Sequence, residues 1–137
     1  MACILLADAS KRIRDTLRRI FLQEGFAFCV EVANGKAAVE EAKRVRPDIV
    51  VLAYRMPKMD GLQAAYAIRQ FAPATKIIFY SAVDSPEIAA AARVMGANAF
   101  VSKAAPGEIL LAVRRLVHGR NPIGVRIAPL SDKPPKA

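Results

Sequence analysis

The sequence predicts an α/β fold built on a parallel sheet, and three observations lead there. Short apolar runs alternate with amphipathic segments five times along the chain. The runs are brief and almost continuously apolar, as required of strands covered by helices on both faces. Residues suited to cap a helix precede the amphipathic segments, so strand and helix boundaries can be read directly.

The first strand is Cys3–Ala7. Ser10 caps the helix that follows, whose stripe Ile13, Leu17, Ile20 and Phe21 has helical spacing and stops at Gly25. Ala27–Val32 is the second strand, and Asn34 caps a helix running to about Val45, before Pro47. Ile49–Leu52 is the third. Asp60 with Gln63 forms a capping-box variant that opens the third helix, with Leu62, Ala65 and Ile68 inward. Lys76–Tyr80 is the fourth strand, and Ser85-Pro86 sets a cap and then proline at the first helical position of a helix ending near Gly96. Ala99–Val101 is the fifth strand. Pro106 opens a last helix with the stripe Ile109, Leu110, Val113, Leu116 and Val117. Right-handed crossovers place helices on both faces of a five-stranded sheet. In the flavodoxin-like (βα)5 order 2-1-3-4-5, the functional crevice opens at the carboxyl ends of strands 1 and 3. Topology alone therefore selects Asp8–Ser10 and Ala53–Arg55.

At 137 residues the chain is expected to form one domain, over residues 1–118. Residues 119–137, with Gly119, Pro122 and the polar stretch Ser131–Lys136, read as a linker or flexible, basic, proline-containing tail with no second domain after it. No run approaches the roughly eighteen apolar residues of a membrane span. The first strand begins at once, without room for a signal peptide, so a cytoplasmic location is expected. Cys3 and Cys29 lie in apolar runs and read as buried thiols rather than a disulfide. His118 is the one histidine, and no Cys/His cluster supports zinc or haem. The net charge of +9 gathers at Lys11, Arg12, Arg14, Arg18 and Arg19 and at Arg114, Arg115, Arg120, Arg126, Lys133 and Lys136. Without interleaved aromatic residues, this pattern favours solvated helix faces over a nucleic-acid surface.

Five motifs in order carry a resemblance. They are Ile-Leu-Leu-Ala-Asp-Ala-Ser (4–10), the apolar run ending at Ala53, Met56-Pro57 with Met59-Asp60-Gly61, Ser81 at a strand end, and Phe100 with Lys103 before Pro106. Over residues 3 to about 118 the chain resembles bacterial response regulator receiver (CheY-like) domains, notably the NarL/LuxR type. The resemblance implies two-component, phosphorelay signalling and a magnesium-assisted phosphate pocket. Asp8 would be the first metal-binding acid, with Ala9 at the second. Ala53 would stand at the phosphoacceptor position, and the Arg55 backbone would be a vestigial ligand. Ser81, Phe100 and Lys103 would be the phosphate-sensing hydroxyl, switch aromatic and phosphate-binding lysine.

A methyl group at residue 53 cannot accept a phosphoryl group, and one carboxylate is a poor cage for a hard divalent ion. The expectation is a non-enzymatic pseudo-receiver with no cofactor and weak or absent magnesium binding. Lys103 would turn to Asp8 or to water. Its function would be phosphorylation-independent protein contact with a kinase, an output domain or a second copy. The face expected for this is helix 4–strand 5–helix 5, at Ile88, Ala91, Ala92, Met95, Leu110 and Arg114. Three alternatives stand beside this reading: a competent receiver inactivated by an engineered Ala53, a basic nucleic-acid-binding module, and a flavodoxin-like enzyme. The last lacks a glycine-rich phosphate loop and an acid–base pair.

Overall fold

The computed structural model describes residues 3–83, 85–118 and 128–129, with backbone alone for 27–29, 118 and 128–129. The elements are β1 (Cys3–Ala7), α1 (Lys11–Gln23), β2 (Ala27–Val32), α2 (Gly35–Val45), β3 (Ile49–Leu52), α3 (Gly61–Phe71), β4 (Lys76–Ser81), α4 (Pro86–Val94), β5 (Ala99–Ser102), α5 (Gly107–His118) and β6 (Ala128–Pro129). Five parallel strands lie in the expected order 2-1-3-4-5, and β6 adds an antiparallel strand outside β5. Apart from β6, the expected tail lies outside the described residues.

Alternation along the strands divides the core into two layers. Ile4, Leu6, Val51, Ile78, Tyr80 and Val101 point to α1 and α5, where Leu17, Phe21, Ile109 and Val113 meet them. Leu5, Val50, Leu52, Ile77 and Phe79 point to α2, α3 and α4, which present mainly alanines: Ala38, Ala42, Ala64, Ala65 and Ala92. Bulky strand residues against small helix residues let α2–α4 pack close while filling the volume.

Local chemistry sets the helix starts. The Ser10, Asn34 and Ser85 side chains accept the backbone N–H of Ile13, Ala37 and Ile88, and Asp60 with Gln63 completes a reciprocal capping box. Gly96 closes the turn after α4 with φ 102°, a left-handed conformation that suits glycine. Arg69 then ties that turn down, donating to the carbonyls of Gly96 and Thr75 and to Asn98 Oδ1.

The expectation of free buried thiols fails at Cys3, which is disulfide-bonded. The physical reason is the register. Parallel pairing sets Cys3 opposite Ala27 and shifts between Ile4 and Leu5, which bring it alongside residues 27–29 of the neighbouring strand. Apolar context alone could not reveal that proximity.

Candidate functional site

The carboxyl ends of β1, β3 and β5 converge on one charged contact. Asp8 follows β1 and donates its backbone N–H to the Val32 carbonyl at 3.1 Å, which fixes the residue against the end of β2. Its side chain is 7% exposed, and Oδ1 accepts the Ser10 N–H at 2.9 Å. Lys103 Nζ lies 2.7 Å from Oδ2 and 5.8 Å from the centre of the Tyr80 ring. The lysine is placed by its own backbone N–H, which donates to the Ser81 carbonyl at 2.8 Å. Of the two alternatives left by the sequence, Lys103 takes Asp8.

Arg14 adds a second cation beside the same residue. One guanidinium N–H donates to the Asp8 carbonyl at 2.6 Å, while Nε donates to Glu31 at 2.9 Å. Tyr80 is 2% exposed, and burial, reinforced by the Asp8 charge, pushes its phenol above the usual 10.0. From the sequence, Arg14 reads only as part of the basic cluster of the first helix and Tyr80 only as a strand residue, and neither is assigned to the crevice. The signal for Arg14 was its position one helical turn past Ser10. Tyr80 had none, since it reads as an ordinary strand aromatic.

None of the remaining crevice residues Ala9, Ala53, Arg55, Ser81 and Phe100 carries a carboxylate. Ala53 is buried and donates its N–H to the Ala7 carbonyl at 2.9 Å. Ala9 and Arg55 are exposed, and the Arg55 guanidinium lies over the Tyr54 ring at 5.8 Å. Gly61 sits so close to Ala53 that an added Cβ would overlap the Ala53 carbonyl, which explains glycine there. Ser81 is buried, and its hydroxyl both accepts the Val83 N–H and donates to the Val83 carbonyl. Phe100 is half-buried and stacks on Phe79 with centroids 6.4 Å apart. Among the described residues no three Asp, Glu, His or Cys stand together as a metal site. Asp8 alone supplies fewer oxygen ligands than a divalent ion takes, and its Oδ2 is in ion-pair contact with Lys103.

On α4 and α5 the expected contact residues divide. Ile88, Ala91, Met95 and Leu110 are half-buried, and Arg114 is exposed and ion-paired with Glu24. Ala92 is corrected: it is wholly buried against the sheet and cannot present a surface. The opposite side of α4 carries exposed Glu87, Ala90 and Val94, with Val94 73% exposed. The helical period would have shown this once the buried stripe was placed on Ala92.

Three of the five α1 cations meet two acids. Lys11 pairs with Asp15, Arg14 with Glu31, and Arg18 with both acids. A separate cleft of ≈ 560 Å³ lies at the other end of the sheet, between Arg46, Asp48, Thr75, Lys76 and Leu116. It has no contact with the Asp8–Lys103 pair.

The response regulator receiver domain model matches residues 4–114. The chain belongs to this family. It is 32% identical over 114 residues to the chemotaxis protein CheY of Thermotoga maritima, covering 82% of this chain and 95% of that one. It is 39% identical over 120 residues to the "Probable transcriptional regulatory protein NarL" of Mycobacterium tuberculosis, covering 86% of this chain. The chain spans little more than half of that transcriptional regulator's length, 56%. Among solved structures, a LuxR-family two-component response regulator from Aurantimonas superposes with TM-score 0.83 at 29% identity, covering 88% of each chain. CheY from the CheX–CheY–BeF3–Mg complex of Borrelia burgdorferi gives 0.81 at 29% identity, covering 85% of this chain and 89% of that one. Receivers of two-component systems act through contacts with other proteins, and this chain shares their architecture. No described helix is long and apolar enough to cross a membrane.

Proposed function

We propose that this receiver works without phosphoryl transfer, as a protein-docking domain whose switch is held in one setting. Ala53 stands where the family resemblance expects the acceptor carboxylate. The observation that carries the reading is the 2.7 Å contact between Lys103 and Asp8. An ammonium that would otherwise attend a phosphoryl group is neutralised within the chain, and the acid that would otherwise help hold a metal is occupied by it. Arg14 on the Asp8 carbonyl adds positive charge at the same point. Magnesium binding is accordingly weak or absent, and no catalytic step is assigned. Ser81, bonded to its own turn, and Phe100, stacked on Phe79, are held by local packing.

Partners of this domain are proteins: a sensor kinase, an output domain or a second copy. They meet it at α4–β5–α5, centred on the outward side of α4 rather than on Ala92. Direct nucleic-acid binding is the weaker reading, because Lys11, Arg14 and Arg18 of α1 are paired within the chain.

The test is intact mass after incubation with a small phosphodonor and magnesium, for this chain and Ala53→Asp together. The expected result is no added phosphoryl group on the parent. A gain by the variant alone would show a site one residue from competence, by recent loss or deliberate replacement. A phosphoryl group on the parent would mean that another residue is the acceptor, and the proposal would be wrong.

A further inference from the structure

Cys3 is disulfide-bonded, and Cys29 is the chain's one other cysteine. The two positions are held very differently. Cys3 is clamped to the start of β3 through its backbone. Its N–H donates to Asp48 Oδ2 at 2.8 Å, and its carbonyl accepts the Asp48 N–H at 2.9 Å. Residue 29 has no place in the ladder. Cys3 pairs with Ala27 and Ile4 with Phe28, but Leu5 pairs with Val30, so residue 29 is the extra one of a bulge, where pairing is locally lost.

β2 is also an edge strand of the sheet. Its Val30, Glu31 and Val32 are half-buried, where Ile4–Ala7 and Ile49–Leu52 are buried. Modest burial and one open side put β2 at the low-stability end of the fold. It nevertheless reaches the crevice by two routes. The Val32 carbonyl accepts the Asp8 N–H, and Glu31 holds Arg14, which donates to the Asp8 carbonyl.

We infer that the bond between Cys3 and Cys29 is a reversible redox clasp on β2, through which a dithiol reductant acts on the Asp8 end of the crevice. Cys3 is half-buried rather than enclosed, which leaves the bond open to a small thiolate. Such a thiolate displaces one cysteine sulfur and forms a mixed disulfide. The reductant's second thiol then displaces the other. The Sγ–Sγ bond is broken, Cys3 and Cys29 together gain two electrons and two protons, and the reductant leaves as its own disulfide. Cys3 stays in place on Asp48, so the part released is the bulged start of β2. In the reducing compartment expected from the sequence, disulfides that do form are mostly transient and redox-sensing. Nothing in the clasp depends on residue 53, so it supplies an input whether or not the domain accepts phosphate.

The test uses the full chain, oxidised with oxidised glutathione and then treated with dithiothreitol without denaturant. Cys29→Ser serves as a variant with no bond to reduce. Free thiols are counted by intact mass after alkylation in denaturant, and amide exchange is followed residue by residue. The expected result is no free thiol before reduction and two after it, with the Asp8 amide exchanging about tenfold or more faster in the reduced chain. The Asn98 amide, bonded to the Ile77 carbonyl just before β5, should be unchanged. Cys29→Ser should match the reduced chain and ignore dithiothreitol. Two free thiols after oxidation, a bond that yields only in denaturant, or an Asp8 amide indifferent to reduction overturns the inference. Equal acceleration at Asn98 also overturns it, by making the bond a staple for the whole fold.

Discussion

Replacing Lys103 by methionine leaves the Asp8 carboxylate facing hydrocarbon where only 7% of its side chain meets solvent. At 2.7 Å, in a medium of effective dielectric about 20, the gross attraction between the two charges is about 6 kcal/mol. Desolvation of both groups offsets much of it, so the pair's net worth is small, and the damage comes from the charge left behind. Removing one partner of a fully buried pair costs about 3–5 kcal/mol. The Lys103 side chain is 20% exposed, and Asp8 keeps the Ser10 N–H, so about 2–3 kcal/mol is expected here. With a urea dependence of about 1–3 kcal/mol per molar, the unfolding midpoint falls by roughly 0.7–3 M. Asp8→Asn should cost less, because Lys103 can then turn to water while the asparagine still accepts from Ser10. In the double variant the Asp8→Asn change should recover most of the Lys103→Met loss, giving a coupling of about 2 kcal/mol in the cycle. The assay is urea unfolding followed by circular dichroism on the four proteins. A Lys103→Met loss below about 0.5 kcal/mol, or no recovery in the double variant, would refute the pair as the organising contact of the crevice.

Ala53→Asp sets a second carboxylate at a buried position near Asp8. It should lower stability by about 2 kcal/mol without magnesium, and equal urea midpoints for parent and variant would count against the argument. Gly61→Ala drives a methyl into the Ala53 carbonyl and should cost about 2–3 kcal/mol, read as a drop in thermal midpoint. Tyr80 titrates above its usual 10.0 in the folded chain, so its contribution is intact below pH 10 and is lost as pH rises through the raised value. Unfolding free energies measured from about pH 9 to 11.5 should therefore fall more steeply for the parent than for Tyr80→Phe, and parallel curves would exclude the effect.

Much of the fold was legible because its determinants are local. Ser10, Asn34, Asp60 and Ser85 each cap the helix they announce, and the five parallel strands begin where the apolar runs begin. The crevice was legible too, since topology alone places it at Asp8 and Ala53. Other features depend on partners distant in sequence. Arg14 meets Glu31 across seventeen residues and Arg69 reaches Gly96 across twenty-seven, and no periodicity encodes those meetings. Ala92 was misjudged because four alanines in a row hide which side of α4 faces the sheet. The β6 pairing has no hydrophobic alternation to betray it, being two residues held through backbone.

By itself the sequence determined the order of strands and helices, the caps, and the absence of any carboxylate at residues 9 and 53. Those follow from side-chain chemistry and spacing along the chain. Tertiary structure decided that Lys103 closes on Asp8, that Cys3 lies within reach of β2, and that Ala128–Pro129 covers β5. Each is a contact between segments far apart in sequence, fixed by strand register and by which backbone and charged groups would otherwise lack a partner.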